Sequence, residues 1–156
     1  GGLTLDFPGS GHLWLAPLIE DPYEPNKAYL AGGGISGGNH LFHLTAGQSS
    51  ISYIEEPYSF NSTISAMGYS SIEPNNRYIL DYNGNFYHSR NDGDSWQQSP
   101  AFDGPNSHYF YGSTIWASQT ELGKLYIGGS GYSNPAVYIS TNHGQTFEIM
   151  DLKADI

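Results

Sequence analysis

A repeat of about fifty residues constrains this chain more than any other feature of its sequence. The segment Glu24–Tyr29 returns as Glu73–Tyr78, 49 residues later, and more faintly as Glu121–Tyr126. A fixed period of this length indicates that one structural unit is repeated along the chain. Segments just upstream also align, at a spacing of 51 residues. Those segments are His12–Ala16, Thr63–Met67 and Thr114–Ser118. The 156 residues are therefore expected to hold three copies of one structural unit.

Each unit is predicted to form four β-strands. Short runs rich in β-branched and aromatic residues alternate with Gly, Asn and Pro, which is typical of strands and turns. No stretch shows the period of an amphipathic helix, and the Asn83-Gly84 pair predicts a type I′ hairpin. The predicted strands are Leu13–Ala16, Ala28–Ala31, His40–Leu44 and Ile51–Glu55; Thr63–Gly68, Arg77–Tyr82, Asn85–Arg90 and Ser95–Ser99; and Thr114–Ser118, Lys124–Gly128, Ala136–Ser140 and Thr146–Met150.

The links between the third and fourth strands of units two and three share an eight-residue pattern. The segments are Ser89–Trp96 and Ser140–Phe147, 51 residues apart. The polar third residue can accept backbone N–H groups across a turn, the Gly can take a left-handed conformation, and the final aromatic ring can insert between sheets. The key positions are Ser89, Asn91, Gly93, Ser95 and Trp96, and Ser140, Asn142, Gly144, Thr146 and Phe147.

Both segments resemble the Asp-box, or BNR repeat, Ser/Thr-x-Asp-x-Gly-x-Thr-Trp/Phe, with Asn91 and Asn142 where that family usually has Asp. In the first unit the matching window, residues 44–51, is degenerate. Asp-box repeats occur in bacterial sialidases, xyloglucan-cleaving glycosidases, sortilin-type receptors and photosystem assembly factors, which are β-propellers with four-stranded blades. The resemblance therefore implies an all-β partial propeller with blades at about 11–60, 61–112 and 113–156. A β-trefoil, which also has three four-stranded repeats, is the alternative.

The predicted number of blades is too small for a closed ring. Propellers typically have four to eight blades, so we expect the chain to be a fragment whose partners include the remaining blades of the same parent chain. Family resemblance and the acidic, Lys-poor composition favour a secreted or cell-surface protein, with bacterial export preferred. Composition alone does not exclude a cytosolic origin.

Charge and composition exclude several classes of function. Five Lys and Arg residues face fifteen Asp and Glu residues, which gives a net charge of −10. Such a surface repels phosphate backbones, so no nucleic-acid partner is expected. No apolar run is long enough for a membrane helix, so no membrane insertion is expected. The lack of Cys removes disulfides, zinc-thiolate sites and cysteine nucleophiles.

No catalytic residue, metal site or cofactor is predicted. The carboxylates lie in turns and loops, without a convincing pair for glycoside hydrolysis. By the family resemblance, a sialidase centre would need three Arg residues, and the chain has only Arg77 and Arg90. Asp81 to Asn85 has the alternating oxygen donors of a calcium loop, but the position that requires Gly is Phe86, which favours a hairpin.

Aromatic side chains in the loops are the candidates for ligand binding. The loop of residues 105–111, between units two and three, combines aromatic, amide and imidazole groups that could stack on sugars and bind hydroxyls. Packing between neighbouring blades is the alternative role for these rings. The candidates are His108, Tyr109, Tyr111, Tyr58 and Tyr23.

The sequence thus favours a non-catalytic module that binds a glycan or protein ligand. The alternative is a segment of a secreted glycoside hydrolase, similar to xyloglucanases or sialidases, whose catalytic residues lie mostly outside these 156 residues.

Overall fold

The computed structural model describes residues 16–33, 38–100, 102, 113–129 and 136–150, and this part of the chain forms three four-stranded sheets. Sheet 1 contains β1 (Leu18–Glu20), β2 (Lys27–Gly33), β3 (His40–Ala46) and β4 (Ile51–Glu55). Sheet 2 contains β5 (Ile64–Tyr69), β6 (Arg77–Asp81), β7 (Phe86–Ser89) and β8 (Gln97–Gln98). Sheet 3 contains β9 (Thr114–Ala117), β10 (Leu125–Gly128), β11 (Val137–Ser140) and β12 (Glu148–Ile149).

Each sheet is an antiparallel meander in which consecutive strands pair. The described strands pair only within their own unit, whereas a β-trefoil would combine strands of all three units in one barrel. The chain is therefore a partial β-propeller of three blades. This confirms the predicted all-β class and makes the trefoil alternative wrong. Among the described residues, no helix is long and apolar enough to cross a bilayer.

Two apolar clusters hold the three sheets together. One lies between sheets 1 and 2 and includes Tyr29, Leu41 and Ile79. The other lies between sheets 2 and 3 and includes Leu80 and Ile127. Sheet 2 is buried on both faces, since every residue of β6 and β7 is buried, whereas β9 alternates exposed and buried residues. Burial of these side chains is the main force that joins the blades.

The first predicted strand was placed wrongly. The structure begins sheet 1 at Leu18, Ala16 is not in a strand, and residues 13–15 lie outside the described part. Strand pairing shows that equivalent residues in the first strands of the three sheets (β1, β5 and β9) are 49 and 48 residues apart, rather than 51. The equivalent pairs are Ile19 with Tyr29, Gly68 with Tyr78, and Trp116 with Tyr126. The spacing of 51 matched similar residue types instead of equivalent pairing positions.

The hairpin between β6 and β7 is also not the predicted type I′ turn. That turn needs positive φ at both central residues. Gly84 has φ +82°, but the described non-glycine residues with positive φ do not include Asn83. The fully buried carboxylate of Asp81 instead shapes a four-residue loop by accepting the N–H groups of Asn83 (3.0 Å) and Asn85 (2.9 Å). As predicted, these residues form a hairpin that joins β6 to β7.

Candidate functional site

The three sheets share one polarity, which gives the described part of the propeller two distinct ends. The turn end holds the connections from the first to the second strand and from the third to the fourth strand of each sheet. The link end holds the connections from the second to the third strand and from each sheet to the next. The Ser70 hydroxyl bonds the Ser118 carbonyl, and the Ser71 N–H donates to Gln119 (2.9 Å). The turn ends of sheets 2 and 3 therefore lie side by side.

The predicted ligand-binding residues do not form one cluster in the described part of the chain. Tyr23 lies in the β1–β2 loop at the turn end, whereas Tyr58 follows β4 at the link end. The half-buried Tyr58 ring packs against Phe60 (4.8 Å between centroids) and Trp96 (6.2 Å), so it occupies the space between sheets 1 and 2. The other three candidates, His108, Tyr109 and Tyr111, lie outside the described residues.

A cleft of about 230 Å³ opens at the turn end between sheets 1 and 2. We call it the sheet 1–2 cleft. Sheet 1 contributes its β1–β2 loop and one β2 side chain, and sheet 2 contributes the end of β5, the β5–β6 loop, the start of β6 and the β7–β8 turn. The lining residues are Asp21, Pro22, Tyr23, Glu24, Tyr29, Tyr69, Pro74, Asn75, Arg77 and Asp92.

Tyr23 bridges the two sheets across this cleft. Its hydroxyl lies 3.1 Å from the Ser70 carbonyl and 3.2 Å from the Ser71 carbonyl of sheet 2, while 45% of the residue stays exposed. The Asp21 carboxylate fixes the loop that carries Tyr23 by accepting the N–H groups of Tyr23 (2.8 Å) and Glu24 (3.1 Å). The ring therefore forms a fixed wall of the cleft.

Arg77 is the buried cation beneath the cleft, and each of its three side-chain nitrogens donates a hydrogen bond. Its Nη1 donates to Glu56 (3.0 Å), its Nε donates to Asp92 (2.9 Å), and its Nη2 donates to the Tyr29 hydroxyl. The guanidinium carbon also lies 4.1 Å from the Tyr29 ring centroid. Burial alone would lower the Arg77 pKa, but Glu56, Tyr29 and Asp92 raise it above its ordinary value. Arg77 thus joins the two sheets rather than offering a free charge to a ligand.

Asp21 stays ionised at the mouth of the cleft. Burial would raise its pKa, but the N–H groups of Tyr23 and Glu24 and the Tyr29 hydroxyl (3.1 Å) outweigh burial and lower it. The His43 imidazole, stacked on Tyr29 at 4.4 Å, lies 3.5 Å from the same carboxylate. This carboxylate presents acceptors to the cleft but is unsuited to act as a general acid.

Tyr69 gives the cleft an unused polar group. Its hydroxyl is buried and has no hydrogen-bond partner within the described residues. Burial raises the pKa of Tyr69, so the hydroxyl stays protonated and can both donate and accept. A buried polar group without a partner is costly, and a ligand atom placed here would remove that cost.

The described carboxylates do not form an acid and base pair in this cleft. Burial raises the pKa of Glu56, although Arg77 opposes the shift, but this carboxylate is bonded to Arg77 and does not line the cleft. Groups of three or more possible metal ligands are likewise not found in the described ranges. The arrangement is therefore suited to binding a ligand.

The two predicted turns fold almost identically; we call them the Ser89 turn and the Ser140 turn. Ser89 Oγ accepts the Gly93 N–H and Ser140 Oγ accepts the Gly144 N–H, both at 2.9 Å. Asn91 and Asn142 each accept the N–H four residues later at 3.0 Å. Trp96 is buried between sheets 1 and 2, and the half-buried Phe147 packs on Phe86 (5.1 Å) and Phe102 (4.2 Å).

Side chains at the tips of these turns have a role that the sequence reading missed. Asp92 (φ +58°) pairs with Arg77, while His143 (φ +60°) lies 2.6 Å from Glu73 of the preceding blade. One signal was available for Arg77, because the equivalent positions in the other units hold apolar Ala28 and Leu125. A cation at an otherwise apolar strand position indicates a specific partner.

No protein-family model matches this sequence, and no curated protein matches it significantly. Similar solved structures include YCF48 bound to a D1 peptide, with a TM-score of 0.63 and 12% identity over 93% of this chain. They also include the GH74 xyloglucanase from Xanthomonas campestris, with a TM-score of 0.54 and 10% identity over 93% of this chain. The chain spans 41% and 31% of the length of those two chains. At these identities the likeness shows the propeller fold alone.

Proposed function

We propose that this chain is a segment of a secreted or cell-surface Asp-box β-propeller that acts as a non-catalytic module binding a glycan or protein ligand. The paired geometry of the Ser89 and Ser140 turns supports the Asp-box assignment. The peptide bound to the YCF48 structure supports protein binding by this fold in general. The proposal implies two kinds of partner, a ligand and the further blades of the propeller, and no cofactor.

The observation that carries the binding function is the sheet 1–2 cleft with its unused Tyr69 hydroxyl. The walls combine tyrosine rings, carboxylate side chains and the Asn75 amide. Concave sites with aromatic walls and a few polar groups are typical ligand sites. Since carboxylates outnumber free donors here, the cleft suits ligand groups that donate hydrogen bonds, such as sugar hydroxyls or peptide N–H groups.

Binding should depend on the Tyr69 hydroxyl more than folding does. We expect Tyr69→Phe to weaken a ligand found by glycan and peptide screening about tenfold, because it removes one buried hydrogen bond. The unfolding temperature should not fall, because the hydroxyl has no partner in the described part of the free protein. Isothermal titration and thermal melts would measure both quantities.

Tyr82→Phe is the matched control, because Tyr82 is partly exposed in the β6–β7 loop at the link end. It should leave affinity unchanged. Equal affinity of the Tyr69→Phe and unmodified proteins would contradict the assignment of the cleft, and blank screens would contradict the binding function.

A glycoside hydrolase segment is the second candidate, favoured by the fold likeness to the xyloglucanase. In that case the catalytic acids would lie mostly outside these residues. Release of reducing sugars from xyloglucan or sialosides by the complete propeller, abolished by replacing one of its catalytic carboxylates, would place this candidate first.

A further inference from the structure

A second cleft, of about 280 Å³, lies between the β7 and β8 region of sheet 2 and the Ser140 turn of sheet 3. We call it the sheet 2–3 cleft. Among the described residues, its lining contains no carboxylate, in contrast to the sheet 1–2 cleft and despite the net charge of −10. The lining residues are Phe86, His88, Arg90, Gln97, Gln98, Ser99, Pro100, His143, Gly144 and Gln145.

Arg90 supplies a free cation to this cleft. Its side chain is exposed and makes no ion pair or hydrogen bond within the described residues. The other Lys and Arg residues that the structure describes are all paired: Lys27 with Glu24, Arg77 with Glu56 and Asp92, and Lys124 with Glu121. A guanidinium group is suited to bidentate binding of a carboxylate.

Neutral polar groups surround this cation. The side chains of Gln97 and Gln145 are exposed and have no hydrogen-bond partner in the described ranges. The Ser99 hydroxyl is buried without a partner in the same part of the structure. Gln98 is held in place by Asn61 (3.2 Å) and Asn85 (2.9 Å). Amides and a hydroxyl can each donate to and accept from sugar hydroxyl groups.

The histidines form the polar floor of the cleft without adding an unpaired acid. His143 lies 2.6 Å from Glu73 and stacks on His88 with 5.3 Å between ring centroids. His88 in turn lies 2.6 Å from the Asn76 side-chain oxygen. Both imidazoles are therefore held by groups beneath the cleft, and Arg90 is the cation that faces an incoming ligand.

We propose that the sheet 2–3 cleft binds a carboxylate flanked by hydroxyl groups, as a uronic-acid residue of a glycan presents them. Arg90 pairs with the carboxylate, and Gln97, Gln145 and Ser99 bind the hydroxyls. A single cation on a protein of net charge −10 repels long polyanions, which favours a ligand with few carboxylates. The amide-rich wall favours an acidic sugar over an acidic peptide. The inference rests on the proposed binding function, for which it names one ligand class.

The test is an NMR titration of the ¹⁵N-labelled protein with tri-galacturonic acid, neutral maltotriose and triglutamate. Tri-galacturonic acid should shift the amides of Arg90, Gln97 and Gln145 and bind about tenfold more tightly than maltotriose. Arg90→Gln should remove that preference. Lys124→Gln is the control, because it removes the same charge from an exposed site and should leave affinity within about twofold at physiological salt.

Three results would overturn the inference: equal binding of acidic and neutral trisaccharides, equal effects of Arg90→Gln and Lys124→Gln, or tighter binding of triglutamate than of tri-galacturonic acid. Shifts at Tyr69 with another ligand, but none at Arg90 with tri-galacturonic acid, would overturn this inference and leave the proposed function intact. A protein that binds no ligand at either cleft would lose both.

Discussion

At the residue scale, Arg77 concentrates the polar contacts between sheets 1 and 2. It is buried, and its partners Tyr29 and Glu56 both belong to the sheet 1 unit. Removing one partner of a buried ion pair is far more costly than losing an exposed pair, since the remaining charge stays buried alone. Arg77 is thus a structural residue at the base of the candidate site.

Arg77→Met should lower the free energy of unfolding by about 3 to 5 kcal/mol, because Glu56 would lose its buried counter-ion. Chemical denaturation of the variant and the unmodified protein would measure the change. Lys124→Met, which breaks an exposed pair with Glu121, is the control and should leave stability nearly unchanged.

The double variant Arg77→Met with Glu56→Gln should regain part of the lost stability, because it leaves no unpaired charge at Glu56. A double variant less stable than Arg77→Met alone would contradict this account of the pair.

Sequence reading identified the local polar contacts but not the long-range ones. Ser89 and Asn91 bond atoms within four residues of themselves, so the pattern alone predicted their hydrogen bonds. Arg77 bonds Glu56 and Tyr29, which lie 21 and 48 residues away. Those partners are set by how two sheets pack, which a single sequence does not specify.

At the element scale, the Ser89 and Ser140 turns are the units that fix the ends of the blades. Each turn also bonds a neighbouring loop of its own sheet, since Asp92 N–H donates to the Asn75 carbonyl and His143 N–H to the Gly123 carbonyl. This backbone bond, repeated in both blades, holds the turn against the loop between the first two strands. The fourth strand of sheet 1 has the predicted bounds, whereas those of sheets 2 and 3 are shorter than predicted, because Ser95 and Thr146 bond the turn instead of pairing.

Gly144→Ala should be strongly destabilising, by about 2 to 4 kcal/mol, because it combines a clash with backbone strain. Gly144 has φ +78°, and an added Cβ would lie 2.1 Å from the Phe86 ring. Gly47→Ala, in the exposed β3–β4 turn, would place its Cβ 3.1 Å from the Ser50 carbonyl oxygen and should change stability far less. Thermal melts that show equal effects for the two variants would contradict the close packing of the Ser140 turn against the Phe86 ring.

The strand pattern was predictable for most elements, because alternating apolar residues reflect burial on a sheet face. The first strand of sheet 1, β1, was the exception. Its three residues, Leu18 to Glu20, carry little pattern of their own, so only pairing with β2 locates them. The prediction of the β6–β7 turn type failed for a related reason. The buried Asp81 carboxylate overrides the local preference of the Asn-Gly pair for a type I′ turn.

At the scale of the whole molecule, the described face of sheet 3 that points away from sheet 2 carries an exposed aromatic side chain. Trp116 is 52% exposed and lies 5.6 Å from the Tyr126 ring. The equivalent position in sheet 2 is Gly68, where Ile115 of sheet 3 packs closely. Such an apolar face is what the next blade of a propeller covers, in keeping with the proposed further blades.

The interface between sheets 2 and 3 should weaken in acid. Burial, followed by the neighbouring His143, lowers the pKa of His88 from 6.5 to about 4. Between pH 6.5 and 4 the unfolded chain therefore binds a proton that the folded chain does not, so stability falls as pH falls through this window. The unfolding temperature should drop by several degrees between these pH values.

His88→Gln should flatten this dependence, because glutamine does not titrate. Glu73 also faces the histidines, and its pKa is lowered from its ordinary value, so the stability that Glu73 contributes is lost towards the acid end of this window and below it. Burial would raise the Glu73 pKa, but hydrogen bonds from Gly123 and His143 outweigh burial. Identical pH profiles of the variant and the unmodified protein would contradict the assignment to His88.

We propose that the clefts between the blades bind ligands without hydrolysing them. The most direct measurement is an NMR titration of the protein with oligosaccharide and peptide panels, followed by mass spectrometry of each ligand. We expect saturable shifts of the Tyr69 and Asn75 amides with at least one ligand, which remains intact. Ligand hydrolysis, or an absence of shifts at these residues with every ligand, would contradict the claim.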